Sequence, residues 1–309
     1  MIITLTINPS IDRNLCVDRL VFEDRAYILS SSDSAGGRGI NASRVIHCYG
    51  AKTLAIATSG GAHGERFEKL LAKLGFPIKL VRISREIRTN FTVTDRQGLA
   101  IKMNEPGPLI TPDELKNIEK TVDSRLPGAS WLMLCGSIPP GVSSDFYTKL
   151  IRRAREHKVK VLLDTDGDAL LHGVEAGPTV VTPNQPEAER LLNRALITRA
   201  HFVEAASRIK AMGAESVLLS LGSRGVVAIN ENQLMEVLPP RIDAVSPLGA
   251  GDALAAAYVW ATTKKKDFAD CVRWGVAAGT ASAQLPGLEF ANLEQTKEIY
   301  KSVEVRVRN

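Results

Sequence analysis

Short apolar or alternating segments recur along the chain, separated by longer segments in which apolar residues return every three to four positions. The short segments have the length and alternation of β-strands, and the longer ones have the period of amphipathic α-helices. Strands and helices that alternate in this way predict an α/β fold with a mainly parallel central sheet and helices on both faces. We predict strands at 1–8, 52–58, 131–135, 159–164, 179–182, 216–220 and 226–229, and helices at 42–49, 64–74, 111–126, 144–157, 185–192, 200–212 and 253–263.

Two segments, 13–33 and 89–103, depart from this alternation, because both contain short β-like runs without a helical period. We therefore interpret residues 1–309 as a single domain with a small β-sheet lid formed from about 13–33 and 89–103. A lid of this kind can exclude water from a reacting group. Its strand edges also favour pairing, so a homodimer through the lid is a further expectation.

Composition favours a protein that binds small anionic molecules. The 309 residues carry a net charge of +5, but the basic residues are scattered and aromatic residues make up only 5%, which argues against a nucleic-acid surface. No run of 18 apolar residues occurs, so we expect no membrane partner. The four cysteines and five histidines show no metal-ligand spacing, and a cytoplasmic location is the simplest expectation.

The segment 246–252 holds the most informative chemistry. Gly249 and Gly251 allow a tight turn that runs directly into an alanine-rich helix. The first backbone N–H groups of a helix lack internal partners and lie at the positive end of its dipole, so this turn is typical of an anion site. Asp252 would repel an anion there, which makes sense if it removes a proton from the hydroxyl that attacks a phosphate.

Capping of the same helix is the alternative interpretation of Asp252, because aspartate is a preferred N-cap residue. The motif is neither a Walker A loop nor a dinucleotide fingerprint, since neither pattern occurs in the chain. The missing fingerprint argues against a nicotinamide-dependent oxidoreductase.

Two further stretches contain candidate binding groups. Asp12 follows the first predicted strand, where α/β sheets gather their binding side chains, although a turn aspartate is the alternative. A second glycine-rich turn at 35–43 contains Gly39 and Asn41, which can bring backbone and amide groups to a polyol, and Arg38, which adds a charge.

These motifs together resemble the ribokinase superfamily, in its phosphofructokinase-B branch. The resemblance covers essentially the whole chain and is carried by 36–41, followed by Gly50 and Gly60, and by 246–259. The segments 8–12, 104–108 and 136–141 support it. It implies a ribokinase-like fold and an ATP-dependent kinase that converts a ketohexose monophosphate to the bisphosphate.

The resemblance also implies roles for individual residues on the acceptor side of the reaction. Asp252 would be the general base, and Gly249, Ala250 and Gly251 would form the anion hole for the transferring phosphoryl group. Sugar hydroxyls would contact Asp12, Gly37, Gly39 and Asn41. The phosphate already on the sugar would contact Arg88, and Ser137 would lie near it. Further candidates for contact with this phosphate are Arg25, Arg38 and Lys102. A solvated surface charge is the alternative for Arg25 and Lys102.

On the nucleotide side, Glu187 would organise Mg²⁺ through water together with Asn184 and the ATP phosphates. A capping box at the start of the helix is the alternative for this pair. The resemblance assigns further ATP contacts to Ser220, Gly222 and Gly225, and places the helix that contains Gly279 beside the adenine.

Fructose 1-phosphate, converted to the 1,6-bisphosphate, is the expected substrate, and tagatose 6-phosphate or fructose 6-phosphate are the alternatives. A non-catalytic sugar-phosphate sensor on the same fold is a further alternative. The chain departs from the family pattern at Arg38, where lysine is common, and at Pro247, where threonine is common. We interpret the acidic stretch 164–168 as a solvated turn without a role.

Overall fold

The computed structural model describes residues 1–21 and 23–308. Its strands are β1 (Ile2–Thr6), β2 (Ser10–Val17), β3 (Ile28–Gly36), β4 (Thr53–Ser59), β5 (Ile78–Arg82), β6 (Arg88–Asp95), β7 (Ala100–Asn104), β8 (Trp131–Cys135), β9 (Lys160–Asp164), β10 (Val180–Val181), β11 (Val217–Ser220), β12 (Val226–Ile229), β13 (Leu234–Leu238) and β14 (Glu304–Arg308). Its helices are α1 (Arg38–Cys48), α2 (Gly61–Leu71), α3 (Pro112–Asp123), α4 (Phe146–Glu156), α5 (Gly167–Glu175), α6 (Gln185–Leu192), α7 (Arg199–Ala211), α8 (Ala250–Thr263), α9 (Phe268–Ala283) and α10 (Leu293–Lys301).

Within the described residues, ten strands form one sheet in the order β14-β13-β12-β11-β10-β9-β8-β1-β4-β5. The strands from β5 to β11 run parallel, and β12, β13 and β14 extend the sheet in antiparallel fashion. The carboxyl ends of the parallel strands therefore meet at one edge of the sheet. In α/β folds, this is the edge at which ligands bind.

Side chains of the central strands alternate between two buried faces. In β8, Leu132 and Leu134 belong to a core with α2 to α7, whereas Trp131 and Met133 belong to a core with α1, α8 and α9. Every residue of β8 is buried, because helices cover both faces of the sheet. The predicted mainly parallel sheet with helices on both faces is confirmed.

A smaller sheet of four strands, in the order β3-β2-β6-β7, lies apart from the main sheet. β2 pairs parallel with β6, which sets Asp12 opposite Asn90. The outer strand β7 is exposed along its whole length. A separate small sheet was predicted from these segments, and its action as a lid stays a prediction. Phe22, inside the predicted lid segment, lies outside the described residues.

Several boundaries differ from the sequence-based expectation. α1 begins at Arg38 and not at residue 42, so Gly39 and Asn41 are helical. The acidic stretch at 164–168 is no solvated turn, because Asp164 is a buried end of β9 and Gly167 begins α5. The prediction also omitted β5, α5, β13, α10 and β14, and it included α9 only as the helix that contains Gly279. Across 1–21 and 23–308, no helix combines the length and apolar character needed to cross a bilayer.

Candidate active site

A cavity of about 340 Å³ opens at the carboxyl ends of the parallel strands, where α6 and α8 begin. Asp164 ends β9, Ser220 ends β11, and Lys102 comes from the small sheet. A wider depression of about 690 Å³ lies at residues 84–86 and 107–109, but the carboxylates and the two helix N-termini converge on the smaller cavity. The smaller cavity is lined by Arg38, Lys102, Asp164, Thr182, Asn184, Glu187, Ser220, Pro247, Leu248, Gly249, Gly251, Asp252 and Leu254.

The N-terminus of α8 is open toward this cavity. Gly249 precedes the helix with a φ of 77°, a left-handed conformation that favours glycine, and no side chain caps the helix. A Cβ atom added to Gly251 would meet no protein atom within 4 Å. The turn therefore exposes backbone donors next to empty space, which is the arrangement that an anion site requires.

Asp252 lies in the first turn of α8 and does not cap it, so the capping interpretation is wrong. Its Oδ2 accepts a hydrogen bond of 2.7 Å from Asn41 Nδ2. Burial of the carboxylate, reinforced by the negative charge of Asp164, raises the pKa of Asp252 to about 7, against the lowering effect of Arg38 and Asn41. A carboxylate with a pKa near neutrality is suited to accept a proton during catalysis.

Arg38 joins three carboxylates that come from distant parts of the chain. It donates to Asp164 Oδ1 at 2.8 Å, to Asp166 Oδ2 at 3.3 Å and to Glu187 Oε1 at 3.0 Å. The acidic stretch thus has a structural partner that the sequence interpretation omitted. Because Asp164 is the last residue of a predicted strand, its position at the carboxyl end of the sheet was the signal by which the sequence could have identified it.

The N-terminus of α6 is closed by its own side chains. Asn184 Oδ1 accepts from the Glu187 amide at 2.9 Å, and Glu187 Oε2 accepts from the Asn184 amide at 2.9 Å. Burial raises the pKa of Glu187, and Arg38 opposes this shift. The capping box is therefore present, and Asn184 also pairs with Ser220, which brings the two residues together at the cavity.

Asp12 belongs to a polar group on the small sheet. Its Oδ1 accepts from Ser10 Oγ at 2.7 Å and from Asn90 Nδ2 at 3.0 Å. Burial raises the pKa of Asp12, while these bonds and the charge of Arg88 lower it. Sequence reasoning missed Asn90, whose proximity follows only from the parallel register of β2 and β6.

Arg88 begins β6 beside this group, and its Nη1 donates to Glu105 O at 2.9 Å. Its buried Nε has no hydrogen-bond partner among the described residues. Burial lowers the pKa of Arg88, and the charge of Asp12 opposes that shift. Ser137 accepts from Asn8 Nδ2 at 3.1 Å, at the end of β8.

Close packing explains four of the predicted glycines. Gly37 and Gly39 let α1 approach β1, since added Cβ atoms would lie 2.6 and 2.5 Å from side-chain atoms of Thr6. Gly225 packs against the backbone of Val237, and a Cβ on Gly279 would lie 2.8 Å from Ala250 O, so packing accounts for both.

Two further predicted residues lie apart from the cavity lining. Gly222 is exposed in a 3₁₀ turn beyond Ser220, and Arg25 is exposed between β2 and β3. The structure therefore does not bring Arg25, Gly222, Gly225 and Gly279 to the cavity wall, and their assigned contacts stay predictions.

Comparison with known proteins identifies relatives over almost the whole chain. Residues 3–295 match the pfkB family of carbohydrate kinases. The chain is 32% identical over 302 residues to the ATP-dependent 6-phosphofructokinase isozyme 2 of Escherichia coli, covering 97% of each protein. It is 28% identical over 304 residues to a 1-phosphofructokinase of Vibrio cholerae, covering 98% of this chain and 96% of the relative.

A solved structure of Escherichia coli phosphofructokinase-2 in complex with potassium is similar to this fold. The two superimpose with a TM-score of 0.92 and share 31% sequence identity, covering 97% of this chain and 98% of the other. The similarity extends through both sheets, which confirms the predicted fold class.

Proposed function

Because the chain belongs to the pfkB family of carbohydrate kinases, we propose that it transfers the γ-phosphoryl group of ATP to a hydroxyl of a ketohexose monophosphate. The observation that carries this proposal is the Asp252 carboxylate at the open N-terminus of α8, fixed by Asn41. A base and an anion site that share one helical turn suit attack by a hydroxyl on a phosphoryl group. The product is the bisphosphate.

The reaction begins when Asp252 accepts the proton of the primary hydroxyl. That oxygen then attacks the γ-phosphorus as the bond to the β-phosphate oxygen breaks, so ADP leaves without a covalent enzyme intermediate. Negative charge on the transferring group is stabilised by the backbone N–H groups of Gly249, Ala250 and Gly251. The empty space beside Gly251 supports this assignment, because a phosphate can approach the backbone there.

The acceptor sugar lies between Asn41 and the small sheet. Asp12 and Asn41 orient its hydroxyls, and the backbone of Gly37 and Gly39 contacts them. Arg88 binds the phosphate already present, and its unpartnered buried Nε supports this role. Lys102, which lines the cavity, is a second cation for that phosphate.

The nucleotide phosphates lie along Ser220, Asn184 and the start of α8. Bound Mg²⁺ would neutralise charge on these phosphates, with Glu187 contacting it through water. The donor chemistry fits, because carboxylates of Asp164 and Glu187 line the cavity.

Fructose 1-phosphate is our first candidate substrate and fructose 6-phosphate the second, since relatives are named for both activities. Tagatose 6-phosphate is the third. The test is a coupled ADP-release assay with Mg-ATP over these three sugars, with unphosphorylated fructose and ribose as controls.

A preference for one phosphorylated ketohexose would support the proposal and identify the substrate. Turnover of unphosphorylated sugar alone would contradict the role of Arg88. Absence of turnover, together with tight binding of a sugar phosphate, would favour the sensor alternative.

We also propose that two copies associate through the small sheet in the cytoplasm. The sheet and the residues next to its strands expose apolar side chains, including Tyr27 and Ile28, whose exposed fractions are 62% and 61%, and Leu99, at 59%. Paired sheets would cover this apolar surface. Light scattering that shows a monomer at micromolar concentration would contradict the dimer.

A further inference from the structure

Arg44 on α1 contacts a segment far away in the chain that lies next to the phosphoryl site. Its Nη1 donates to Leu288 O at 3.3 Å, and its guanidinium lies 5.0 Å from the centre of the Phe290 ring. Both contacts hold the segment that connects α9 to α10. Burial lowers the pKa of Arg44, as expected for a guanidinium removed from water, while Glu289 opposes the shift.

The segment held by Arg44 forms a wall behind Gly249. A Cβ atom added to Gly249 would lie 2.8 Å from Leu288 Cδ1 and 2.9 Å from Phe290 Cε1. Ser246 ties the same segment to the turn, because its Oγ donates to Gly287 O at 2.8 Å. The side chains of Leu288 and Phe290 therefore limit the positions that the turn before α8 can adopt.

The same helix also fixes the proposed base. Arg38, Asn41 and Arg44 follow one another at intervals of three residues along α1. Arg38 binds Asp164 at the end of β9, Asn41 holds Asp252, and Arg44 holds the wall behind Gly249. One rigid element thus contacts both the base and the support of the backbone donors.

We propose that Arg44 is a positioning residue for phosphoryl transfer, which acts through Leu288 and Phe290 on the anion hole at 249–251. This inference rests on the proposed function. Donors stabilise a transition state only when they are already in place, and a displacement of about 1 Å can cost about 10²-fold in rate. Loss of Arg44 should therefore affect the chemical step more than substrate binding.

The chain offers a matched control in Arg273. Its guanidinium lies 4.2 Å from the centre of the Tyr300 ring, and its Nη2 donates to Lys301 O at 3.3 Å. It thus makes the same two kinds of contact as Arg44, but between α9 and α10 and outside the residues that line the cavity. Arg273→Ala removes equivalent contacts without touching the proposed wall.

The experiment compares Arg44→Ala, Arg44→Lys and Arg273→Ala for kcat, for KM of both substrates and for Tm. We expect Arg44→Ala to lower kcat about tenfold or more while both KM values stay within about threefold. Arg44→Lys should recover part of kcat, since an ammonium group can still donate to Leu288 O. Arg273→Ala should keep the wild-type kcat, whatever its Tm.

Binding of ADP with aluminium fluoride, a mimic of the transferring phosphoryl group, gives a second readout. Arg44→Ala should weaken this mimic by about the same factor as kcat, while ADP alone binds as in wild type. Equal kcat values for Arg44→Ala and Arg273→Ala, or a loss confined to KM, would overturn the inference. If the wild type phosphorylates no sugar, the proposed function fails, and unequal binding of the mimic by the two variants still decides the role of Arg44.

Discussion

The N-termini of α6 and α8 face the same cavity, but one is closed and the other is open. At α6, Asn184 and Glu187 satisfy each other's backbone amides in a capping box. At α8, Gly249 supplies no cap, and a Cβ on Gly251 would meet empty space. Two helix ends in one site therefore have different tasks: the first stabilises the fold, and the second has no side chain between its backbone amides and a ligand, although the Ala250 amide donates to Pro247 O at 3.3 Å.

The acidic residues at these two helix ends, Glu187 and Asp252, also differ, because only one of them has both carboxylate oxygens engaged in hydrogen bonds. Both carboxylates have pKa values raised by burial. Glu187 uses one oxygen for the Asn184 amide and the other for Arg38. Asp252 uses Oδ2 for Asn41, whereas its Oδ1 accepts no hydrogen bond from the described residues. A carboxylate with a free oxygen can take a proton from a substrate, and a carboxylate with both oxygens engaged is held in place.

The largest expected effect comes from Asp252→Asn. The amide keeps the size and the hydrogen bond of the carboxylate but cannot accept the hydroxyl proton, so kcat should fall about 10²–10⁴-fold. Affinities for ATP and for the sugar phosphate, measured by equilibrium dialysis, should stay close to those of the wild type. Activity within a few-fold of the wild type would show that another group is the base.

The same substitution should stabilise the protein in a pH-dependent way. Folding raises the pKa of Asp252 from an ordinary 3.8 to about 7, so the folded state binds the proton more tightly than the unfolded state. The contribution of Asp252 to the free energy of unfolding is therefore present at low pH and is lost as the pH rises through 7. Asp252→Asn cannot ionise and avoids this loss.

Thermal denaturation between pH 5 and pH 8 measures this difference. The Tm of Asp252→Asn should exceed that of the wild type by more at pH 8 than at pH 5. A Tm difference that does not change with pH would mean that burial does not shift the pKa of Asp252 in this direction.

Gly251→Ala tests whether the open end of α8 binds phosphate. Alanine should favour the helix, and the added Cβ meets no protein atom within 4 Å, so the Tm should not fall. The methyl group would instead occupy the space for the phosphoryl group and lower kcat/KM about tenfold or more. Ala253→Gly in the same helix is the control for helix propensity, and an unchanged kcat/KM in Gly251→Ala would place the anion hole elsewhere.

The contrast between the helix ends marks how far the sequence could predict this site. The turn at 246–252 was predictable because glycines, an acidic residue and a helix-forming run are adjacent in the chain. The start of α1 was not predictable from the sequence, because packing against Thr6 overrides the local preference of Gly39 for a loop. The grouping of Arg38 with Asp164 and Glu187 depends on the order of strands in the sheet, since these residues are 126 and 149 positions apart from it.

The smallest expected effects come from the closed end, where two substitutions separate capping from charge. Glu187→Gln keeps one side-chain oxygen for the capping box but turns an NH₂ group toward Arg38 in place of the second carboxylate oxygen, so the Tm should fall. The Mg²⁺ concentration for half-maximal activity should rise several-fold, because a neutral amide attracts a hydrated cation less than a carboxylate.

Asn184→Ala removes the cap and should cost about 1 kcal/mol of unfolding free energy. Denaturant unfolding and Mg²⁺ titration of both variants decide the matter: if Glu187→Gln keeps the Mg²⁺ dependence of the wild type, then α6 supplies only a capped helix and Glu187 does not contact the metal.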